Sequence, residues 1–119
     1  MSHWINKFRN AIRGIAFGMD GQSSFLVHIP IAIAVLTAAW WVGCNYWQWC
    51  VLILCIAMVL TLELMNSAIE FLARGLCNEH NENVGKALDI ASGAVLVASI
   101  FAALIGGFIL LGKLYLSWT

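Results

Sequence analysis

The sequence predicts an all-α integral-membrane protein, with an N-terminal amphipathic surface helix followed by three transmembrane helices. Hydrophobic residues make up 62% of the 119 residues and charged residues 10%, whereas soluble domains have about 45–50% and about 25%. The chain also contains three apolar runs of the ~20 residues that a helix needs to cross ~30 Å of hydrocarbon. A length of 119 residues fits a single domain.

The surface helix is predicted over residues 3–19. Its apolar and polar side chains separate onto two faces at helical spacing: Trp4, Phe8, Ala11, Ile12 and Ile15 on one, and Asn6, Arg9, Asn10 and Arg13 on the other. A basic amphipathic helix beside an apolar span is typical of a helix lying in the headgroup plane. It does not have the pattern of a cleaved signal peptide, and we expect none.

Three transmembrane helices are predicted over residues 25–43, 47–73 and 86–113, the second with a cytoplasmic extension. The short turn between the first two is surrounded by aromatic residues of the kind that gather at membrane interfaces: Trp40, Trp41, Tyr46, Trp47 and Trp49. The third helix is rich in small residues, which let helix backbones approach closely. Because three short spans enclose little space, we expect a homo-oligomer with a site between helices.

The distribution of basic residues predicts the orientation. Five lie before the first span or around the second loop (Lys7, Arg9, Arg13, Arg74 and Lys86), and only Lys113 lies on the opposite side. The positive-inside rule then puts the N-terminus in the cytoplasm. The net charge is zero, so no basic surplus indicates nucleic acid. The four cysteines lack metal-ligand spacing, and we interpret them mainly as packing residues.

A polar stripe in the second span is the strongest indication of a functional site. It consists of Glu63, Asn66, Ser67 and Glu70, whose offsets of three, four and seven residues put all four on one helix face. Ionisable groups at membrane depth cost roughly 2.5–3.5 kcal/mol each on insertion scales, and they usually mark function. We therefore expect this face to turn towards other helices, a cavity or the water interface.

Three motifs give the chain a resemblance to the small bacterial integral-membrane diacylglycerol kinase family, which includes undecaprenol kinases. They are residues 8–14 with 25–28, residues 63–70 (Glu-Leu-Met-Asn-Ser-Ala-Ile-Glu) and residues 89–95. The resemblance covers nearly the whole chain. It implies a homotrimer in the bacterial cytoplasmic (inner) membrane, with sites between subunits. It also implies ATP- and Mg²⁺-dependent phosphorylation of a membrane lipid hydroxyl, on diacylglycerol or undecaprenol.

The resemblance also implies a role for individual residues. Glu63 matches the general base for the lipid hydroxyl, and Glu70 matches a carboxylate that holds Mg²⁺ on the nucleotide phosphates. Asn66 matches a phosphate-binding residue between them. Asp89 matches an aspartate at the start of the last helix, and Arg9 approximates an arginine of the surface helix.

The chain departs from the family pattern around the expected phosphate site. Leu88 stands where the family usually has a lysine, and Gln22 where it has a second metal-binding glutamate. An amide oxygen can still ligate Mg²⁺, but it adds no charge. Arg74 stands where an acidic residue is frequent. Lys86 and Arg74 each lie about one helical turn from the site, so they are candidates to supply the missing positive charge.

Other interpretations of the same residues stay open at this point. Glu63 is also consistent with a structural interhelical hydrogen bond, Glu70 with the solvated end of a span, and His28 with an ordinary interfacial histidine. The alternative function is that of a non-catalytic membrane relative, an assembly or lipid-binding subunit, which the changes at Leu88 and Gln22 favour. A small transporter or channel protomer would need partner charges that the chain lacks.

Overall fold

The computed structural model describes residues 2–20 and 23–118, and within these ranges the protein is helical. Helix α1 spans Ser2–Met19, α2 spans Ser23–Val42, α3 spans Tyr46–Leu76 and α4 spans Glu82–Trp118. Among the described residues, α2, α3 and α4 are long and apolar enough to cross a membrane by length and composition. The predicted all-α membrane fold class, with one amphipathic helix before three spans, is confirmed.

The connection between α2 and α3 is a tight turn over residues 43–45. Gly43 has a φ of +76°, a conformation that glycine adopts without steric cost. The amides of Gly43 and Cys44 bond back to the carbonyls of Trp40 and Ala39, as in a Schellman C-cap. Asn45 and Gln48 then exchange hydrogen bonds in a capping box that begins α3. This turn brings α2 and α3 together as neighbours.

The connection between α3 and α4 is shorter than the sequence predicts. Helix α3 continues to Leu76, and α4 begins at Glu82 instead of residue 86. The reason is a local cap: the Asn81 side-chain oxygen accepts hydrogen bonds from the backbone amides of Asn83 and Val84. An asparagine that binds the first free amides of a helix fixes its start at the next residue.

Helix α3 is the centre of the molecule. It packs most extensively on α4, and it also contacts α2 and α1. Its buried residues, Leu52, Val59, Glu63 and Ser67, recur at spacings of seven and four and so form one face. The molecule measures 60 × 42 × 20 Å, too thin to enclose a large core. Much of its apolar surface is exposed, which suits a chain whose spans face lipid or other chains.

The C-terminal end of α1 is attached to α3 at Gly18. This glycine is buried, and a Cβ added to it would lie 2.7 Å from Leu64 Cδ2. The Ser67 hydroxyl donates a hydrogen bond of 3.1 Å to the Gly18 carbonyl. The close approach and the hydrogen bond together hold the surface helix beside the polar face of α3.

Candidate functional site

The polar stripe of α3 faces other helices of the protein. Glu63 and Ser67 are buried, with exposed fractions of 4% and 1%, and Asn66 and Glu70 are half-buried. A carboxylate in so buried a position is costly without a partner, because burial removes its hydration. The identity of its neighbours therefore decides what the stripe can do.

The neighbour of Glu63 is His28, which comes from α2. His28 Nδ1 lies 3.2 Å from Glu63 Oε1, within the range of an ion pair, although the contact is not an aligned hydrogen bond. On the other side of the ring, His28 Nε2 lies 3.5 Å from the Ser99 hydroxyl of α4. One polar cluster thus joins all three membrane-spanning helices at the depth of Glu63.

Asn66 and Glu70 form a second polar pair, one turn apart on α3. The Asn66 amide nitrogen donates a hydrogen bond of 3.1 Å to Glu70 Oε1. The other end of the same amide, Asn66 Oδ1, is buried and has no hydrogen-bond partner among residues 2–20 and 23–118. A buried amide oxygen without a partner is uncommon in folded proteins and suggests an ion, water or ligand.

Glu70 also borders a cavity of about 420 Å³ beneath the α3–α4 loop. Arg74 and Leu88 share this wall with it. The Arg74 Nε group donates to the Glu70 carbonyl oxygen at 3.4 Å, and its guanidinium lies 4.7 Å from the centre of the Phe71 ring. Arg74 is therefore held close to Glu70, and its remaining N–H groups are suited to binding an anion.

The other residues predicted for the site lie further out. The Lys86 ammonium pairs with Glu82 Oε1 at 3.7 Å, and both side chains are largely exposed. Asp89 is exposed on α4, and Arg9 is exposed on α1. Gln22 lies outside the described residues. The structure thus brings Glu70, Asn66 and Arg74 together, and it leaves Lys86 at the surface beside an acid of its own helix.

A second cavity, of about 390 Å³, lies between α2, α3 and α4. Its walls are aliphatic except at His28 and Ser99, with Cys55 on one side. The cavity therefore combines room for a hydrocarbon chain with a polar end that leads to Glu63. Ligand sites generally have this character, with apolar walls and a few polar groups that fix orientation.

Several residues that complete this site were not predicted from the sequence. The sequence indicated only an interfacial histidine at His28, no separate role for Ser67, and a small packing residue at Ser99. Each of them acts through a partner on another helix, so no spacing within the chain pairs them. A buried glutamate in a span nevertheless needs a partner. His28, a histidine within an apolar run, was a candidate for that partner.

The oxygen ligands near Glu70 suit a Mg²⁺ ion whose other ligands come from a nucleotide. In the part of the chain that the structure describes, no group of three or more His, Cys, Asp or Glu side chains is arranged to hold a metal ion. Mg²⁺ in kinase sites needs only one or two carboxylates, since phosphates and water fill its other positions. The Glu70 carboxylate and the unpartnered Asn66 oxygen are ligands of the right kind.

Comparisons with known proteins show which family the chain belongs to. The family model for prokaryotic diacylglycerol kinase matches residues 9–110. The undecaprenol kinase of Bacillus subtilis is 32% identical over 96% of this chain and 93% of its own length. The diacylglycerol kinase of Synechocystis sp. is 35% identical over 90% of this chain and 62% of its own length. That of Escherichia coli K12 is 31% identical over 85% and 70%. No solved structure matches the chain significantly. The chain therefore belongs to the prokaryotic diacylglycerol kinase family, and as a member of it is a lipid kinase.

Proposed function

We propose that the protein transfers the γ-phosphoryl group of Mg-ATP to the hydroxyl of a membrane lipid at the cytoplasmic boundary of the membrane. The observation that carries the proposal is the polar face of α3, with a buried Glu63 at one end and the Asn66–Glu70 pair at the other. Phosphoryl transfer needs positioning and charge stabilisation more than covalent help from the protein. The two ends of this face supply groups for the acceptor and for the donor.

Glu70 and Asn66 are proposed to hold the magnesium of the nucleotide. Asn66 donates to one oxygen of Glu70, and its own buried oxygen is unpartnered among the described residues. Mg²⁺ held there would supply positive charge to offset the negative charge of the phosphates during transfer. Gln22 is a further proposed ligand, by resemblance alone.

Arg74 is the better candidate for the positive charge that Leu88 does not supply. It borders the same cavity as Glu70 and Leu88, whereas Lys86 pairs with the exposed Glu82. A guanidinium can bind two phosphate oxygens at once. Arg74, about one helical turn after Glu70, could therefore take the place of the lysine that the family has at position 88. Asp89 and Arg9 are proposed nucleotide contacts because of the resemblance. Lys86 is also proposed, but its side chain would first have to separate from Glu82.

Glu63 is proposed as the base that drives removal of the acceptor proton. It lies seven residues before Glu70 on α3, and a helix rises about 1.5 Å per residue, so the two are about 10 Å apart along the axis. The acceptor hydroxyl and the γ-phosphate would meet between them. The lipid would approach from the apolar side, where the 390 Å³ cavity opens beside His28.

The assembly and orientation are proposals as well. A homotrimer would cover the outer groove of α3 and α4, which small residues such as Gly93, Ala94 and Ala98 line. A cytoplasmic N-terminus in the inner membrane, as the basic residues predict, would put Glu70 on the side where ATP is available. The relatives named undecaprenol kinase and diacylglycerol kinase suggest the two acceptors to test first.

The test uses the purified protein in lipid micelles with magnesium and γ-³²P-ATP. Diacylglycerol and undecaprenol are offered separately, and Glu63→Gln serves as the matched control. We expect label in one of the two lipids with the unchanged protein, and about 10²–10⁴-fold slower labelling with the variant. Assembled protein that binds ATP but labels neither lipid would instead support the non-catalytic relative.

A further inference from the structure

We propose that the acceptor lipid is a single-chain alcohol of the polyprenol class, and not a diacylglycerol, and that its hydrocarbon chain lies in the 390 Å³ cavity between α2, α3 and α4. The inference rests on the proposed function and names the substrate class of the same site. Three observations carry it: where the polar residues of the cavity lie, how narrow the cavity is, and how few polar groups it offers to a ligand.

The cavity is polar only at the end nearest to Glu63. His28 and Ser99 approach each other there at 3.5 Å, and His28 Nδ1 lies 3.2 Å from Glu63 Oε1. From this end the lining continues along the three helices, away from Glu63, as far as Leu110 on α4. It is apolar there, since the thiol of Cys55 behaves as a small hydrophobe. A lipid whose hydroxyl is directed towards Glu63 would therefore have its chain against apolar walls.

The cavity is also long and narrow. Its lining runs from residue 28 to 35 on α2 and from 99 to 110 on α4, which corresponds to about 10–16 Å along the helices. A volume of about 390 Å³ over this length gives a mean cross-section of about 25–40 Å². An α-helix with its side chains is at least about 10 Å wide, or roughly 80 Å² in cross-section. The cavity thus has room for an extended hydrocarbon chain but not for a helix of a second copy.

The small number of polar groups in the lining separates the two candidate acceptors. Among the described residues that line the cavity, only His28 and Ser99 have side chains that form strong hydrogen bonds. A polyprenol has one hydroxyl, and the rest of the molecule is hydrocarbon. A diacylglycerol carries two ester groups within a few bonds of its hydroxyl, so at least one ester carbonyl would lie against an aliphatic wall. A buried carbonyl without a partner weakens binding by a factor of about 5–150.

The first experiment compares acceptors in lipid micelles with Mg-ATP. Undecaprenol, the shorter prenol geranylgeraniol and 1,2-dioleoylglycerol are offered separately at the same mole fraction. The kcat/KM for both prenols should exceed that for dioleoylglycerol by about 5–150-fold, the factor expected for one unpaired carbonyl. The shorter prenol is included because only the part of the chain next to the hydroxyl fits the cavity. An equal or higher kcat/KM for dioleoylglycerol would overturn the inference.

A substitution that fills the cavity tests where the chain lies. Gly107 borders the cavity, and a Cβ added to it would meet nothing within 4 Å, so Gly107→Leu has room to extend into that space. The kcat/KM for undecaprenol should fall by about tenfold or more, because the leucine displaces several CH₂ groups of the chain and each contributes about fourfold to binding. The KM for ATP should stay unchanged.

The matched control for this substitution comes from the same helix. Gly112 also has open space around its added Cβ, but it is not part of the cavity lining. Gly112→Leu should therefore keep the kcat/KM of the unchanged protein. If Gly107→Leu keeps it as well, the chain does not lie in this cavity and the inference is wrong.

A thiol-protection experiment needs neither a variant nor turnover. Cys55 lines the cavity, whereas Cys50, on the same helix, is exposed and is the internal control. Alkylation of both by N-ethylmaleimide is followed by mass spectrometry on the unchanged protein in micelles. Undecaprenol should slow the alkylation of Cys55 alone, and dioleoylglycerol should slow neither. Alkylation of Cys55 at one rate with and without undecaprenol would contradict the proposed chain site.

These results also distinguish the inference from the function on which it rests. If the unchanged protein labels dioleoylglycerol as well as it labels undecaprenol, the lipid kinase stands and the proposed acceptor class is wrong. If it labels no lipid although it binds ATP, the proposed function fails, and the acceptor class fails with it.

Discussion

Removing the Ser67 hydroxyl should loosen the surface helix from the rest of the protein. The hydroxyl is 1% exposed and donates to the Gly18 carbonyl at 3.1 Å, so Ser67→Ala takes a partner from a buried acceptor. The net contribution of one hydrogen bond to stability is about 1 kcal/mol, and a buried polar group left without a partner costs up to about 3 kcal/mol. Because α1 makes its main contacts with α3, we expect the loss to weaken α1 docking more than it weakens the pairing of α3 with α4.

The expected change in the docking equilibrium of α1 follows from that range of energies. A free-energy change of about 1–3 kcal/mol corresponds to a factor of roughly 5–150 in the docking equilibrium. Amide hydrogen exchange followed by mass spectrometry measures it, on the peptide that contains the last turn of α1 around Gly18. Exchange there should speed up by up to this factor in Ser67→Ala. Exchange within the α4 span should stay unchanged.

A matched control comes from the same helix. Thr61 is exposed on α3, so Thr61→Ala also removes a hydroxyl from this helix without touching the Gly18 contact. If both variants give the same exchange in the last turn of α1, the Ser67–Gly18 hydrogen bond does not hold the surface helix.

Three further outcomes follow from the proposed site. Glu63→Gln should lower kcat by about 10²–10⁴-fold in the lipid-labelling assay while equilibrium dialysis still shows bound ATP; a variant with full activity would remove Glu63 from the mechanism. Glu70→Gln should raise the magnesium concentration needed for half-maximal activity, and an unchanged magnesium titration would contradict its role as a ligand. Arg74→Ala should weaken ATP binding several-fold in the same dialysis, whereas Lys86→Ala should change it little because Lys86 lies at the surface, outside the lining of the cavity that Glu70 and Arg74 border. Equal effects of these two would contradict the choice of Arg74.

The sequence alone was enough for the architecture. Apolar runs of membrane-crossing length predict three helical spans, because a helix satisfies all its backbone hydrogen bonds within the bilayer. The amphipathic N-terminal segment predicts a surface helix. Helix ends were less predictable. Helix α4 begins at Glu82 because the Asn81 side chain caps it, and a single cap residue is easily overlooked within a loop of polar residues.

The polar stripe was also visible in the sequence, since residues on one helix face follow from spacing alone. The 63–70 motif was specific enough to indicate the family. Because a carboxylate within a span is costly, the sequence also predicted that this face turns away from lipid. It did not predict which residue lies beside Glu63.

The packing of the three spans determined which polar side chains became partners. His28 lies beside Glu63, and Ser99 beside His28, because α2, α3 and α4 pack around one cavity. Likewise Ser67 contacts Gly18 from 49 residues away. Periodicity reports which side chains share a face of one helix. It carries no information on the rotation and depth at which a second helix packs, and those two quantities determine which polar groups meet.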